Sequence, residues 1–467
     1  MNLPVNYKSE FYRDKESLAL INESKSELVL FIEDYKKTKL VLLNSDFEIK
    51  SEFEMPTLPK SFKNYLGYTI NKDNSYSIFY SNLKKTKFGR LDFDFKTKET
   101  SVHKLDFSLN FEGFVKTVKF NNVLYIISVT NRSNDVHFYT NNDKGSFDKK
   151  TISFNFLEEK EYGKKKRASN FMSRGSLETI DVALSNNYGL ILSSSKIYLK
   201  GEEFIFTFDQ DKNKTIVVTL NPTNFNVKHD VFQHSEVIGQ QFSKHNSYIF
   251  DNKLFQISSS REQMKFTVKD FKTKELIKDI VLNKPDSIMF KNTPIIQGTT
   301  SSKETMLGLT HQNSKIKEIE ATSKFLKKIT RDKIGISVYK QNTNFSILLG
   351  GEVINTSGGA SMPGFGGVPI GGFGPLSVSF NPTFSAYGNY ALSTYIGCLF
   401  DENLEHLKGE IEKNGLDKIK DFEDSFDSKN IYAPKAKLTN VFSFNNKLYF
   451  GYLNTEDKNY HLIEFEK

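Results

Sequence analysis

The sequence predicts an all-β protein built by repetition. Three observations carry that reading. A two-strand phrase recurs along the chain, its strands are short and bounded by turn residues, and 42 Phe and 21 Tyr stand against no Trp at all. The phrase is a polar Asn, Asp or Lys turn, an apolar strand, a charged turn and a second apolar strand, closed by an Asp-Phe-like exit.

The clearest copies begin Phe120-Asn121-Asn122-Val123-Leu124-Tyr125, Phe250-Asp251-Asn252-Lys253-Leu254-Phe255 and Phe444-Asn445-Asn446-Lys447-Leu448-Tyr449. Each is followed by a second strand, at Val136–Tyr139, Lys265–Val268 and Tyr460–Ile463. Looser copies start near Ser26, Ser75, Lys200 and Lys333. The exits Asp46-Phe47, Asp94-Phe95 and Asp270-Phe271 recur at matching places, and two continue almost identically, as Lys96-Thr97-Lys98-Glu99 and Lys272-Thr273-Lys274-Glu275.

Short apolar strands rich in β-branched and aromatic residues between turn signals are the mark of a β fold. Units of about 40 to 50 residues with four strands each point to a β-propeller. A small twisted sheet cannot bury both faces alone; stacked against neighbours it can, and Phe and Tyr fill the space between sheets. Counting copies gives seven blades, at 24–55, 65–108, 113–156, 177–233, 237–283, 287–410 and 437–467, in a single domain spanning 1–467. Six or eight blades and a pair of stacked β-sandwiches are the competing counts and architecture. The last copy lacks a strand, which Glu10-Phe11-Tyr12 near the start is expected to supply.

Three segments break the pattern. Residues 157–176, with Lys164-Lys165-Lys166-Arg167, read as a solvated loop. Residues 315–330 and 402–428 show helical spacing, through Ile316, Ile319, Phe325, Leu326 and Ile329 and through Leu404, Leu407, Ile411, Leu416, Ile419 and Phe422. These predict short peripheral helices.

Charge carries the most specific signal. The chain has 64 Lys plus Arg and 56 Asp plus Glu, a net charge of +8, and 26% charged residues. Yet residues 353–400 contain no Asp, Glu, Lys or Arg. The first part is rich in Gly, with Met362, Phe365, Val368, Ile370 and Phe373 between the glycines; from Leu376 the pattern alternates at strand period through Phe380 and Phe384, and Tyr387 adds a further aromatic. With Phe345–Leu349 before it and Tyr395–Phe400 after it, the segment reads as an outsized hairpin in the sixth blade. A loop held in water normally carries charge, whereas a partner's groove would have to desolvate it. These nine residues are therefore the candidate partner-binding set. A low-complexity loop covering a propeller face is the alternative.

Chemistry is harder to find. A single Cys, Cys398, excludes disulfide frameworks and Cys-based zinc sites. The eight His form no His-Glu-x-x-His motif, and His229 and His234 read as structural. Asp209-Gln210-Asp211-Lys212-Asn213 starts like a calcium loop, but Lys214 and Leu220 stand where Gly and Glu are needed, so a β-turn is expected. Neither Gly-x-Ser-x-Gly nor a Walker A sequence occurs, and Gly364-Phe365-Gly366-Gly367 lacks the context of a phosphate loop. No catalytic residue, metal or cofactor is expected. A propeller enzyme or glycan binder using a central channel is the rival reading, weakened by the missing Trp. Only seven basic residues are Arg, which argues against nucleic-acid partners. No apolar run is long enough for a transmembrane helix, and no signal peptide is visible at Met1–Asn6.

Phrases such as Ile197-Tyr198-Leu199-Lys200-Gly201-Glu202-Glu203-Phe204-Ile205-Phe206-Thr207-Phe208-Asp209 resemble the Trp-poor, Phe- and Lys-rich propeller proteins of the Bacteroidetes cell envelope. That resemblance implies a subunit of a larger envelope or secretion complex, in the periplasm if the numbering starts after a removed leader and in the cytoplasm otherwise. Its partner would be a larger protein, with an outer-membrane protein as one candidate. Among such subunits, the plug of the type 9 secretion translocon has the role that an uncharged insertion would suit.

Overall fold

The computed structural model describes residues 2–4, 17–33, 37–56, 64–142, 146–161, 164–172, 176–186, 188–234, 241–304, 310–352, 393–426 and 436–467. Among them lie seven sheets of four or five strands and one two-stranded hairpin. Each repeat read from the sequence overlaps one of these sheets, although Ser17–Asn22 of the first sheet and Asn2–Pro4 of the seventh fall outside the repeats as bounded.

The first sheet runs Ser17–Asn22, Glu27–Glu33, Lys37–Leu43, Ile49–Pro56; the second Asn64–Ile70, Tyr76–Ser81, Phe88–Phe93, Thr100–Leu105. The third is Glu112–Phe120, Val123–Thr130, Asp135–Asn141, Phe147–Ser153; the fifth is Lys244–Phe250, Lys253–Ser259, Gln263–Asp270, Leu276–Asn283. All four are antiparallel meanders. The fourth sheet has the same four-strand meander, Ser195–Lys200, Glu203–Phe208, Lys214–Leu220 and Val227–Gln233, with Leu177–Ile180 added in parallel beside Ser195–Lys200.

The asparagine turns explain why the phrase folds this way. Asn121 and Asn122, Asp251 and Asn252, and Asn445 and Asn446 all hold φ between 46° and 62°. Two successive left-handed residues give the hairpin turn whose twist matches that of its strands, and Asn and Asp tolerate it best. The exits work differently. Asp270 Oδ1 accepts the Lys272 and Thr273 N–H at 2.8 and 2.7 Å, and the Lys274 N–H donates to the Asp270 carbonyl at 3.0 Å. Asp94 repeats this with Lys96 N–H at 2.7 Å, and both turns end on a left-handed lysine, Lys98 or Lys274.

Burial grades across each sheet. The second strands Glu27–Glu33, Tyr76–Ser81 and Lys253–Ser259 are buried along almost their whole length, while the fourth strands Thr100–Leu105 and Leu276–Asn283 are mostly exposed. A strand buried on both faces must lie between two other sheets.

The chain forms two compact units. In the first unit, sheets pack face to face in series. Leu28 and Leu30 point toward Phe442, Tyr449 and Tyr460 of the seventh sheet, while the alternate residues Val29 and Phe31 meet Tyr68, Ile78 and Phe93 of the second. Leu66, Phe79 and Phe88 then pack on Leu124, Ile126 and Tyr139 of the third sheet. In the second unit, one continuous core joins sheets four to six through Tyr198, Tyr248, Phe255, Phe266, Ile336 and Ile347. Four-stranded meanders stacked in series are the blades of a β-propeller, and this is the fold class of the chain.

Details differ from the sequence reading. The missing strand of the seventh sheet is Asn2–Pro4, paired with Asn459–Phe465; Glu10–Tyr12 lie outside the described residues. Lys164–Lys166 form a small hairpin with Glu159–Glu161 rather than a loop. Only Thr322–Ile329 is helical in 315–330, because Ile316 and Ile319 belong to the strand Thr310–Ile319. Likewise the helix in 402–428 is confined to Gly415–Ser425; Leu404, Leu407 and Ile411 lie in the turns before it.

Candidate functional site

The sixth sheet carries the uncharged segment. Its order is Thr310–Ile319, Ile295–Glu304, Ser393–Phe400, Asn344–Glu352, Lys333–Gln341, so the two strands that flank the segment are central. They pair from Phe345 opposite Phe400 up to Glu352 opposite Ser393. The nine candidate anchors, Met362 through Tyr387, lie outside the described residues, but the root that presents them is fixed in detail.

At that root the strand passes hard against the helix Thr322–Ile329, whose Phe325, Leu326 and Ile329 are fully buried. A Cβ at Gly351 would come within 2.6 Å of both Ile329 Cα and the Lys333 carbonyl oxygen, so only glycine fits. Thr330 ties the helix end down: its hydroxyl lies 2.6 Å from the Leu326 carbonyl, 3.0 Å from the Ser260 carbonyl and 2.9 Å from Ser259 Oγ. Burial pushes the Glu352 carboxyl above its usual range, with Lys333 opposing the shift. Glu352 is the last charge before the segment.

Two buried polar clusters sit elsewhere, one in each unit. In the third sheet, the Glu112 carboxylate accepts Ser128 Oγ at 2.5 Å, the Tyr139 hydroxyl at 2.9 Å and Lys149 Nζ at 2.5 Å. His137 lies 3.7 Å away and bonds Thr130 and Thr151 through its two ring nitrogens. Burial opposes ionisation of Glu112, but the bonds from Lys149, Ser128 and Tyr139 hold its carboxyl below the usual range. Although Ser, His and Glu are all present, Ser128 donates to the carboxylate and not to an imidazole. That arrangement is a clamp across four strands rather than an activated nucleophile.

In the second unit, Lys196 is fully buried on the first meander strand of the fourth sheet. Its Nζ donates to Asn246 Oδ1 at 2.7 Å and lies 3.7 Å from Asp209 Oδ2. That same oxygen accepts the Ser247 N–H and hydroxyl at 3.0 and 2.9 Å, and Asp209 Oδ1 accepts Thr215 Oγ1 at 2.7 Å. Asn246 and Ser247 belong to the fifth sheet, so the network stitches two sheets together. Burial draws Lys196 down to about 8 against the pull of Asp209.

Sequence reasoning placed Asp209–Asn213 in a turn, which is correct: it joins Glu203–Phe208 to Lys214–Leu220. It missed that Asp209 turns inward. The available signal was Lys196, two residues from Tyr198 and therefore on the same inward face of a strand. Cys398 is buried, as expected, and burial pushes its thiol up. His229 and His234 do not meet; His229 stacks on Phe156 and His234 on His245. Among the described residues, no three His, Cys, Asp or Glu side chains are grouped as metal ligands.

No family model and no curated protein matches the chain. Solved structures with a similar trace include the Dos1 propeller, at 10% identity over 85% of this chain and 80% of that one, TM-score 0.26. Others are a putative 6-phosphogluconolactonase from Bacteroides uniformis, at 14% identity over 57% and 70%, TM-score 0.25, and a prolyl endopeptidase, at 8% over 73% and 46%, TM-score 0.30. Likeness at this level carries no argument about activity.

Proposed function

We propose that this chain is a non-catalytic docking subunit of propeller fold whose uncharged segment enters a groove or cavity of a larger protein. The observation that carries this reading is the pairing of a charge-free sequence, 353–400, with a root built from two central strands of a five-stranded sheet. Central strands fix direction and position, and an uncharged chain enters an apolar cavity without the cost of desolvating charge. Met362, Phe365, Val368, Ile370, Phe373, Leu376, Phe380, Phe384 and Tyr387 are the anchors. In this reading the partner is a larger envelope protein, with an outer-membrane protein as one candidate, in a plugging role like that of the type 9 secretion plug.

Replacing residues 355–390 by a short Gly-Ser linker tests this. The unfolding midpoint stays within a few degrees, while co-purification of the partner from detergent-solubilised envelopes is lost. Retention of the same partner by the shortened chain defeats the proposal.

A further inference from the structure

The fourth and fifth sheets meet at a pair of histidines that neither the sequence reading nor the docking role uses. His234 follows the last strand of the fourth sheet, and His245 lies on the first strand of the fifth. Their rings stack with centroids 4.3 Å apart and planes 9° from parallel. We propose that this pair, with Thr215 and Asp209, is an acid-responsive latch that loosens the seam as pH falls and has room for one proton, not two, while closed.

Hydrogen-bond accounting supports it. His234 Nδ1 lies 3.1 Å from the Lys212 carbonyl, which can only accept, so Nδ1 carries the proton. The opposite nitrogen, Nε2, lies 3.1 Å from Thr215 Oγ1. That hydroxyl has one hydrogen; its oxygen lies 2.7 Å from Asp209 Oδ1 and already receives a bond from Gln256 Nε2 at 3.0 Å. With both rings neutral, the single Thr215 hydrogen must serve either the carboxylate or the imidazole. One added proton on His234 Nε2 resolves the conflict, since Thr215 then accepts from His234 and donates to Asp209.

A second proton is worse placed, although the Phe242 carbonyl beside His245 favours the charged form of that ring. His245 Nδ1 is 2.9 Å from Ser258 Oγ, and charging this ring too would stack two cations. The surroundings are mixed: Asp209 and Asp211 favour charge on the pair, Lys269 from the third strand of the fifth sheet opposes it, and Lys196 already occupies the other side of Asp209. Asp211 itself is engaged by Glu159 and Lys214. Burial holds His234 below its ordinary value and, with His234 beside it, takes His245 to about 4.

For the linkage sign, both rings bind protons more weakly closed than open. The latch is therefore at full strength above the ordinary histidine value of 6.5 and weakens as pH falls below it. For each ring held neutral, the opening constant rises about tenfold per pH unit in that window.

The test is a titration of the full chain from pH 8 to 4.5, reading the imidazole carbon-proton signals and the amide exchange of Lys244–Phe250, with His245→Gln alongside. One ring should take its proton below 6.5 and the other at least a unit lower, while opening of Lys244–Phe250 rises as stated. His245→Gln, which keeps an amide beside Ser258, should move the His234 titration upward and flatten the opening slope by one proton. Two independent titrations at the ordinary value, or opening that ignores pH, overturn the proposal. If the variant fails to fold, the two wild-type titrations decide alone.

Discussion

Sheets five and six occupy the same unit and share the same strand chemistry, yet differ at one connection. In sheet five, Lys253–Ser259 turns into Gln263–Asp270 through Ser260, Arg261 and Glu262, and Ser260 Oγ lies 3.1 Å from the Gln263 N–H. In sheet six, the corresponding passage from Asn344–Glu352 to Ser393–Phe400 takes residues 353–392. The paired strands on either side keep unbroken register in both sheets, and most of their residues are buried. A three-residue turn is enough at this passage in sheet five, whereas sheet six uses the 40 residues 353–392, and the proposed docking role is what would account for the difference. Loops on a rigid scaffold are where binding is usually placed.

Four changes break or sharpen this contrast, given from the largest expected effect to the smallest. Lys196→Met leaves Asp209 buried beside Asn246 and Ser247 without its cation, and should cost about 3–5 kcal/mol of stability, read by denaturant unfolding. Restoring neutrality with Lys196→Met and Asp209→Asn together should recover part of that loss; a double variant as unstable as the sum of the singles would show the pair is not coupled. Gly351→Ala forces a methyl against Ile329 Cα and should cost about 1–3 kcal/mol, whereas an alanine at Ser260 in the equivalent turn of sheet five should cost less.

Acid should act next through Glu112. Its folded carboxyl is held below the ordinary 4.5, so its contribution is present above that value and lost as pH falls through the folded one. Glu112→Gln should flatten the acid limb of the stability curve below pH 4.5, and an unchanged limb would remove the clamp from the account. Glu352 has the opposite sign: its carboxyl is raised by burial, so its stability contribution is complete below 4.5 and declines as pH rises. Glu352→Gln should therefore stabilise the root slightly near neutral pH, by under about 1 kcal/mol.

Much of the scaffold was legible because its local rules repeat. Asn121-Asn122 and Asp270-Phe271-Lys272 each dictate a turn through their own side chains and backbone, so the sequence alone locates the strands beside them. The root of the insertion was equally plain, since Glu352 and Asp401 bound a stretch where charge stops. What resisted was everything set by distant partners. Asn2–Pro4 joins Asn459–Phe465 across the whole length of the chain, and no local pattern announces that pairing. Ile316 and Ile319 have helical spacing with Phe325 but are drawn into a strand by pairing with Gly298 and Ile295. The polar clusters were hidden for the same reason: Asp209 looks like any turn aspartate until Ser247 and Thr215 close around it.

The central claim is that the missing charge in 353–400 serves association and not folding. Putting charge back tests it most directly. The full chain carrying Phe365→Lys and Phe373→Lys should unfold at the same midpoint as the parent and lose its partner in a side-by-side co-purification from solubilised envelopes. A doubly charged chain that still brings down the same partner in equal yield would contradict the account.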